Sequence, residues 1–203
     1  MNALALSLII ILVILVGTVL FLVGIYNKLV SLRQGCKNGW AQIEVQLKRR
    51  YDLIPNLIET AKAYMAHEAD TLEAVIKARQ NSVDTSKLLE TAAANPGMIK
   101  KLAGAESILS GSVGRLLAVA EQYPDLKANE NMIQLTNELS ETEDKIAYAR
   151  QAYNDAVMRY NTASEVFPNV LIAGNFGFKP EELFEVDEDE KEAIQDAPKV
   201  DFS

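Results

Sequence analysis

The feature that most restricts what this chain can become is an apolar run at positions 3–25. Its 23 residues are Ala, Leu, Ile, Val and Phe, interrupted only by Ser7, Gly17, Thr18 and Gly24. A helix rises ~1.5 Å per residue and the hydrocarbon core of a bilayer is ~30 Å thick, so about 20 such residues cross it, and this run leaves room for tilt. A cleaved secretion signal would start with basic side chains, carry a shorter apolar run and end on a small-x-small site. Here the start is Met1-Asn2 and the flank is Ile25-Tyr26-Asn27-Lys28. The expectation is an uncleaved transmembrane anchor over residues 1–26.

Flanking charge sets the expected orientation. After the run come Lys28, Arg33, Lys37, Lys48, Arg49 and Arg50 against the single acid Glu44. Basic residues stay on the cytoplasmic side. This predicts a single-pass protein of the bacterial inner membrane with its N-terminus outside and the remainder in the cytoplasm. Tyr26 takes the place of an interfacial aromatic, and Lys28, Arg33 and Lys37 are candidate headgroup contacts. Lys48, Arg49 and Arg50 lie about 35 Å further along a straight helix, so acidic side chains are their expected partners.

The net charge of -8 is confined to the end of the chain. Residues 181–203 hold ten acids against Lys191 and Lys199, which leaves 18 acidic and 18 basic groups in residues 28–180. With no basic face interleaved with aromatics, nucleic acid is not an expected partner. Cys36 is the only cysteine, so no intrachain disulfide forms, and it reads as a small semi-buried helix residue.

Helical periodicity organises the middle of the chain. Met132, Leu135, Leu139, Thr142, Ile146, Ala149, Tyr153, Ala156, Tyr160, Ala163 and Phe167 repeat at intervals of 3 and 4, a coiled-coil-like heptad seam. Asn129 or Asn131 can cap its start, and Phe167-Pro168 stops it. An earlier stripe of Trp40, Ile43, Leu47, Ile54, Ile58, Ala61, Met65, Leu72 and Val75 predicts a first helical segment over about 29–79. Pro55 implies a kink near 52–55, or a second helix starting there.

A middle helix is expected from about Pro96 to Gln122, buried through Met98, Leu102, Ala105, Leu109, Ser112, Leu116, Val119 and Tyr123. Its opposite face carries Gly104, Ser107, Gly111, Gly114 and Ala118. Interior glycines cost up to ~1 kcal/mol each, so this small face is either weakly constrained or packed closely on another helix, from this chain or a second subunit. Ser86 is a candidate cap for a short helix through Ala94. The fold class is all-α: a transmembrane helix, then an elongated antiparallel bundle of three long helices with a short fourth, over residues 27–167. Residues 168–203 read as an irregular acidic tail, with Phe184 and Phe202 as docking aromatics and a solvated charge run over 187–196.

These residues, in this order, resemble the LemA family of bacterial membrane proteins. The resemblance rests on the single span and Tyr26-Asn27-Lys28-Leu29-Val30-Ser31-Leu32-Arg33. It continues through Trp40-Ala41-Gln42-Ile43-Glu44-Val45-Gln46-Leu47-Lys48-Arg49-Arg50-Tyr51-Asp52-Leu53-Ile54-Pro55-Asn56-Leu57, then His67-Glu68, Ala78-Arg79, Tyr160-Asn161, Phe167-Pro168, Gly177-Phe178 and Val200-Asp201-Phe202. It implies a helical bundle on the cytoplasmic side of one anchor and a non-catalytic, accessory or scaffolding role at the envelope. One branch is associated with magnetosome membranes, and some members are encoded near membrane metallopeptidases. It supplies no catalytic residue.

Nothing in the residues themselves points to catalysis. His67-Glu68 begins like a zinc-protease motif, but four positions on stands Thr71, and a metal site would need further nitrogen or sulfur donors. Neither metal nor cofactor is expected. Lys48, Arg49 and Arg50 form the candidate recognition surface, with ordinary ion pairs inside the bundle as the competing reading. Two functions follow as expectations: a self-assembling scaffold that organises a membrane patch or envelope complex, or an adaptor for a membrane enzyme such as a metallopeptidase. The expected partners are the lipid bilayer, a second copy of the chain, and in the second case a membrane protein.

Overall fold

A computed structural model describes residues 3–91 and 97–185. Every regular element among them is a helix: α1 Ala3–Lys62, α2 Ala69–Thr91, α3 Met98–Ala120, α4 Pro124–Lys127, α5 Glu130–Glu165 and α6 Asn169–Phe176. The all-α reading therefore stands. The expected helix over residues 86–94, Phe202 and the charge run at 187–196 lie partly or wholly outside the described residues.

The segmentation differs from expectation in two places. The helix does not break at Pro55 but runs on to Lys62. Proline there cannot donate to the carbonyl of Tyr51 one turn earlier. That carbonyl instead accepts a 2.7 Å hydrogen bond from Arg79 Nε, which satisfies the group the proline abandons. The real break falls at residues 63–68, and residues 80–91 belong to the single helix α2. The second difference is α6, where no helical period was visible. Its residues are apolar on nearly every side, which erases the periodic signal. The brackets were legible: Pro168 precedes it, and Gly177 ends it at φ 71, a left-handed conformation suited to glycine.

The described residues form two compact units, to both of which α1 and α5 contribute: Met1–Gly39 with Ala152–Glu181, and Trp40–Gln151 with Glu182–Ser203. In the first, Leu6–Val23 of α1 presents an almost unbroken exposed apolar surface. Below it Ile25, Leu29 and Cys36 are buried, with Tyr153, Val157 and Tyr160 of α5 and Ile172 and Ala173 of α6. The helices approach closely at Gly39, where an added Cβ would sit 3.1 Å from Tyr153 Cα. The Tyr160 hydroxyl donates to the Lys179 carbonyl at 2.8 Å, and Asn161 both donates to and accepts from the Glu181 backbone at 2.9 and 3.0 Å. These two side chains strap the chain after α6 to α5.

The second unit is a four-helix core. Ile43, Leu47, Ile54 and Leu57 of α1 are buried, as are Leu72 and Val75 of α2, Leu102, Leu109 and Leu116 of α3, and Met132, Leu139 and Ile146 of α5. Its helices run antiparallel. Tyr123, after α3, donates to Glu68 before α2, and Asn129, at the start of α5, donates to Tyr64 after α1. Asn129 also caps α5 by accepting from the Met132 N–H at 3.1 Å. Of the heptad seam, Thr142 is fully buried and returns its hydroxyl to the Glu138 carbonyl at 2.7 Å. Phe167 departs from the seam and is 80% exposed. Phe184 is buried edge-on against Trp40, ring centroids 5.6 Å apart. α3 is long and apolar enough to cross a membrane by composition, but it carries the buried Glu106 and supplies the middle of this core.

Candidate functional site

The basic run at residues 48–50 divides on folding. Helical spacing turns Lys48 and Arg49 outward, while Arg50 points inward one turn after Leu47 and is 1% exposed. Arg50 is thus removed from the candidate recognition surface. Its Nη1 donates to Ser110 Oγ at 2.9 Å and to Glu143 Oε1 at 2.6 Å, and its Nη2 donates to the carboxylate of Glu106. The Tyr51 hydroxyl donates to the other oxygen of Glu106. One guanidinium therefore joins α1 to α3 and α5, and Arg79 adds α2 through the Tyr51 carbonyl. Arg49 makes only a loose contact to Glu138 at 3.8 Å, and such exposed pairs contribute about 0–1 kcal/mol.

Burial governs the electrostatics of this cluster. It pushes the Glu106 carboxyl above the usual range, against the opposing pull of Arg50, Tyr51 and Ser82. The Tyr51 hydroxyl is likewise pushed up, first by burial and then by Glu106. Arg50 Nε is buried with no hydrogen-bond partner among the described residues. A partly open cleft of about 290 Å³ lies beside the cluster, lined among others by Arg50, Glu143 and Arg150. With four donors of Arg50 and Tyr51 committed to the chain's own side chains, the arrangement acts as a clamp between helices. Its signal was in the sequence as Arg50-Tyr51, but Glu106 lies 56 positions away and was concealed in an apolar helix.

The headgroup candidates also separate. Lys28 and Lys37 are exposed. Tyr26 packs edge-to-face on Phe176 and Phe178, with centroids 5.2 and 5.5 Å apart, and Arg33 lies 4.9 Å above the Phe178 ring. Along the small-residue face of α3, Gly104 is buried and Ser107 half-buried, while Gly111 and Gly114 are exposed with open space beside them. Among the described residues no close approach accounts for those two glycines. His67 is exposed in the α1–α2 turn, and Glu68 accepts from Tyr123.

An apolar N-terminal helix leading into a clamped helical bundle defines a membrane-associated helical protein. The sequence profile of the LemA family matches residues 39–202, and the chain belongs to that family. It is 27% identical to magnetosome protein MamQ of Magnetospirillum gryphiswaldense over 174 residues, 78% of this chain and 64% of that protein. It is 29% identical to MamQ 2 of Paramagnetospirillum magneticum over 175 residues, 79% and 64% of the two chains. Protein LemA of Metamycoplasma hominis is 25% identical over 171 residues, 83% of this chain and 73% of the other. The chain spans less than two thirds of the MamQ proteins it matches.

Proposed function

We propose that this chain is a membrane-anchored scaffold, held in the bacterial inner membrane with its bundle in the cytoplasm, that self-associates to organise a membrane patch or envelope complex. The observation that carries this reading is the pairing within α1 of an exposed apolar run, Leu6–Val23, with residues buried in a bundle core. The basic flank supports the orientation. The exposed glycines of α3 support self-association, because a second helix can approach them closely. The likeness to magnetosome protein MamQ and to protein LemA supports a membrane-associated role.

The test is the mass of the full chain in lipid nanodiscs drawn from native membrane. An oligomer that is lost when Gly111 and Gly114 are both replaced by leucine, with helical content retained, supports the proposal. A strict monomer at micromolar concentration contradicts it. In-cell crosslinking that captures a membrane enzyme and no second copy supports the adaptor reading instead, with the exposed Lys48 and Arg49 as its contact.

A further inference from the structure

We propose that α6 and the residues leading into it form a second membrane contact, a short foot seated at the headgroup–acyl boundary beside the span. This rests on the reading of residues 3–25 as a bilayer anchor.

Position and surface chemistry argue for it together. From Val166 to Phe178 there is no charged side chain. The polar side chains Asn169 and Asn175 each donate one amide hydrogen back to the backbone, to the carbonyls of Ala163 and Leu171 at 2.8 Å, which lowers the number of polar groups that face outward. Ile172, Ala173 and Phe178 fill the inside. Val166, Phe167, Val170, Leu171 and Phe176 are left exposed in one stretch of chain, Phe167 at 80% and Phe176 at 61%. Scattered exposed apolar residues are ordinary, but a concentrated apolar patch marks a surface that meets lipid or protein.

The location selects lipid. Ile25, the last residue of the apolar run, is buried although the preceding turns of α1 are exposed. Tyr26, one position on, holds Phe176 and Phe178 edge-on. The foot therefore lies against the last turn of the span, at the depth where hydrocarbon gives way to headgroups. An apolar face at that depth is covered by the bilayer itself, with aromatic rings suited to the boundary. Lys28 and Lys179, both exposed at its margins, are long enough to reach lipid phosphates.

The experiment uses the full chain in vesicles of phosphatidylcholine and phosphatidylglycerol, with Cys36→Ala as background. Single cysteines replace Leu15, Lys77 or Leu171 and carry a nitroxide whose depth is read from its relative accessibility to oxygen and to a water-soluble nickel chelate. The Leu15 label is expected in the bilayer core, the Lys77 label in water, and the Leu171 label roughly 5–10 Å into the interface. A Leu171 label as water-accessible as the Lys77 label, with the Leu15 label deep, overturns the foot and leaves the anchor standing. A Leu171 label shielded from both reagents means that protein covers the patch, which also overturns it. A Leu15 label in water removes the anchor and the foot together. Repeating the measurement at Phe167, outside α6, guards against disturbance of the helix by the label, and an interfacial depth at both positions is the supporting result.

Discussion

Arg50 shows how much a single buried charge can determine here. Its guanidinium is paired with Glu106 and Glu143, so truncating it leaves Glu106 charged or neutralised in an apolar interior. Arg50→Ala is expected to lower stability by about 3–5 kcal/mol, measured by chemical denaturation of the full chain in detergent. Replacing the buried partners together, Arg50→Met with Glu106→Leu and Tyr51→Phe, should recover most of that loss, because neither a desolvated charge nor an orphaned hydroxyl is left over. Glu106 also gives a pH signature. Its folded carboxyl sits above the free value of 4.5, so the folded state holds the proton more tightly than the unfolded state. Its contribution is full below that value and is lost as pH rises through the folded-state range. The stability of the wild type relative to Glu106→Gln should therefore fall as pH climbs above 4.5, and a difference that grows instead would contradict the assignment. Cys36 is 2% exposed and its thiol is pushed up to about 11, chiefly by burial. Since the thiolate is the nucleophile, a maleimide should label it far more slowly in the folded chain than after denaturation.

At the scale of elements, the long periodic segments were legible and the compensated irregularities were not. Residues 132–160 read as helix because the apolar spacing never slips, and the buried positions Met132, Leu139, Ile146, Tyr153 and Tyr160 follow that spacing. At Pro55 a kink and a new helix start were both open; no new helix starts there, and the donor that compensates the proline, Arg79, is 28 positions from the carbonyl it serves. Arg79→Ala should cost about 1.5–3 kcal/mol, the usual contribution of a charged hydrogen-bond donor, with the loss measured by denaturation. Gly39 was also silent in the sequence, since only the approach of α5 gives it meaning. Gly35→Ala, with open space beside it, should stabilise by up to about 1 kcal/mol in denaturation, whereas at Gly39, where the new Cβ would sit 3.1 Å from Tyr153 Cα, that gain is expected to be reduced or reversed. As for the candidate site, the sequence marked the basic run but could not separate Arg50 from Lys48 and Arg49. Outward and inward positions differ by a single residue, and the inward one is decided by an acid on another helix.

For the molecule as a whole, two kinds of apolar surface coexist on α1. Between residues 43 and 61 the inward-facing side chains of Ile43, Leu47, Ile54, Leu57 and Ala61 are buried, as in any water-soluble bundle, while Val45 faces outward. Between Leu6 and Val23 the apolar side chains are left exposed by the described residues. Water would oppose that exposure by about 25 cal/mol for each Å² of apolar surface, and a bilayer removes the penalty. The most direct test is alkaline carbonate extraction of membranes from cells making the full chain, beside a variant with Ile11→Arg and Leu15→Arg in the run. The native chain should stay in the membrane pellet while the variant is released or fails to insert. Release of the native chain into the supernatant would contradict a bilayer anchor, and with it the placement of the clamped bundle at a membrane surface.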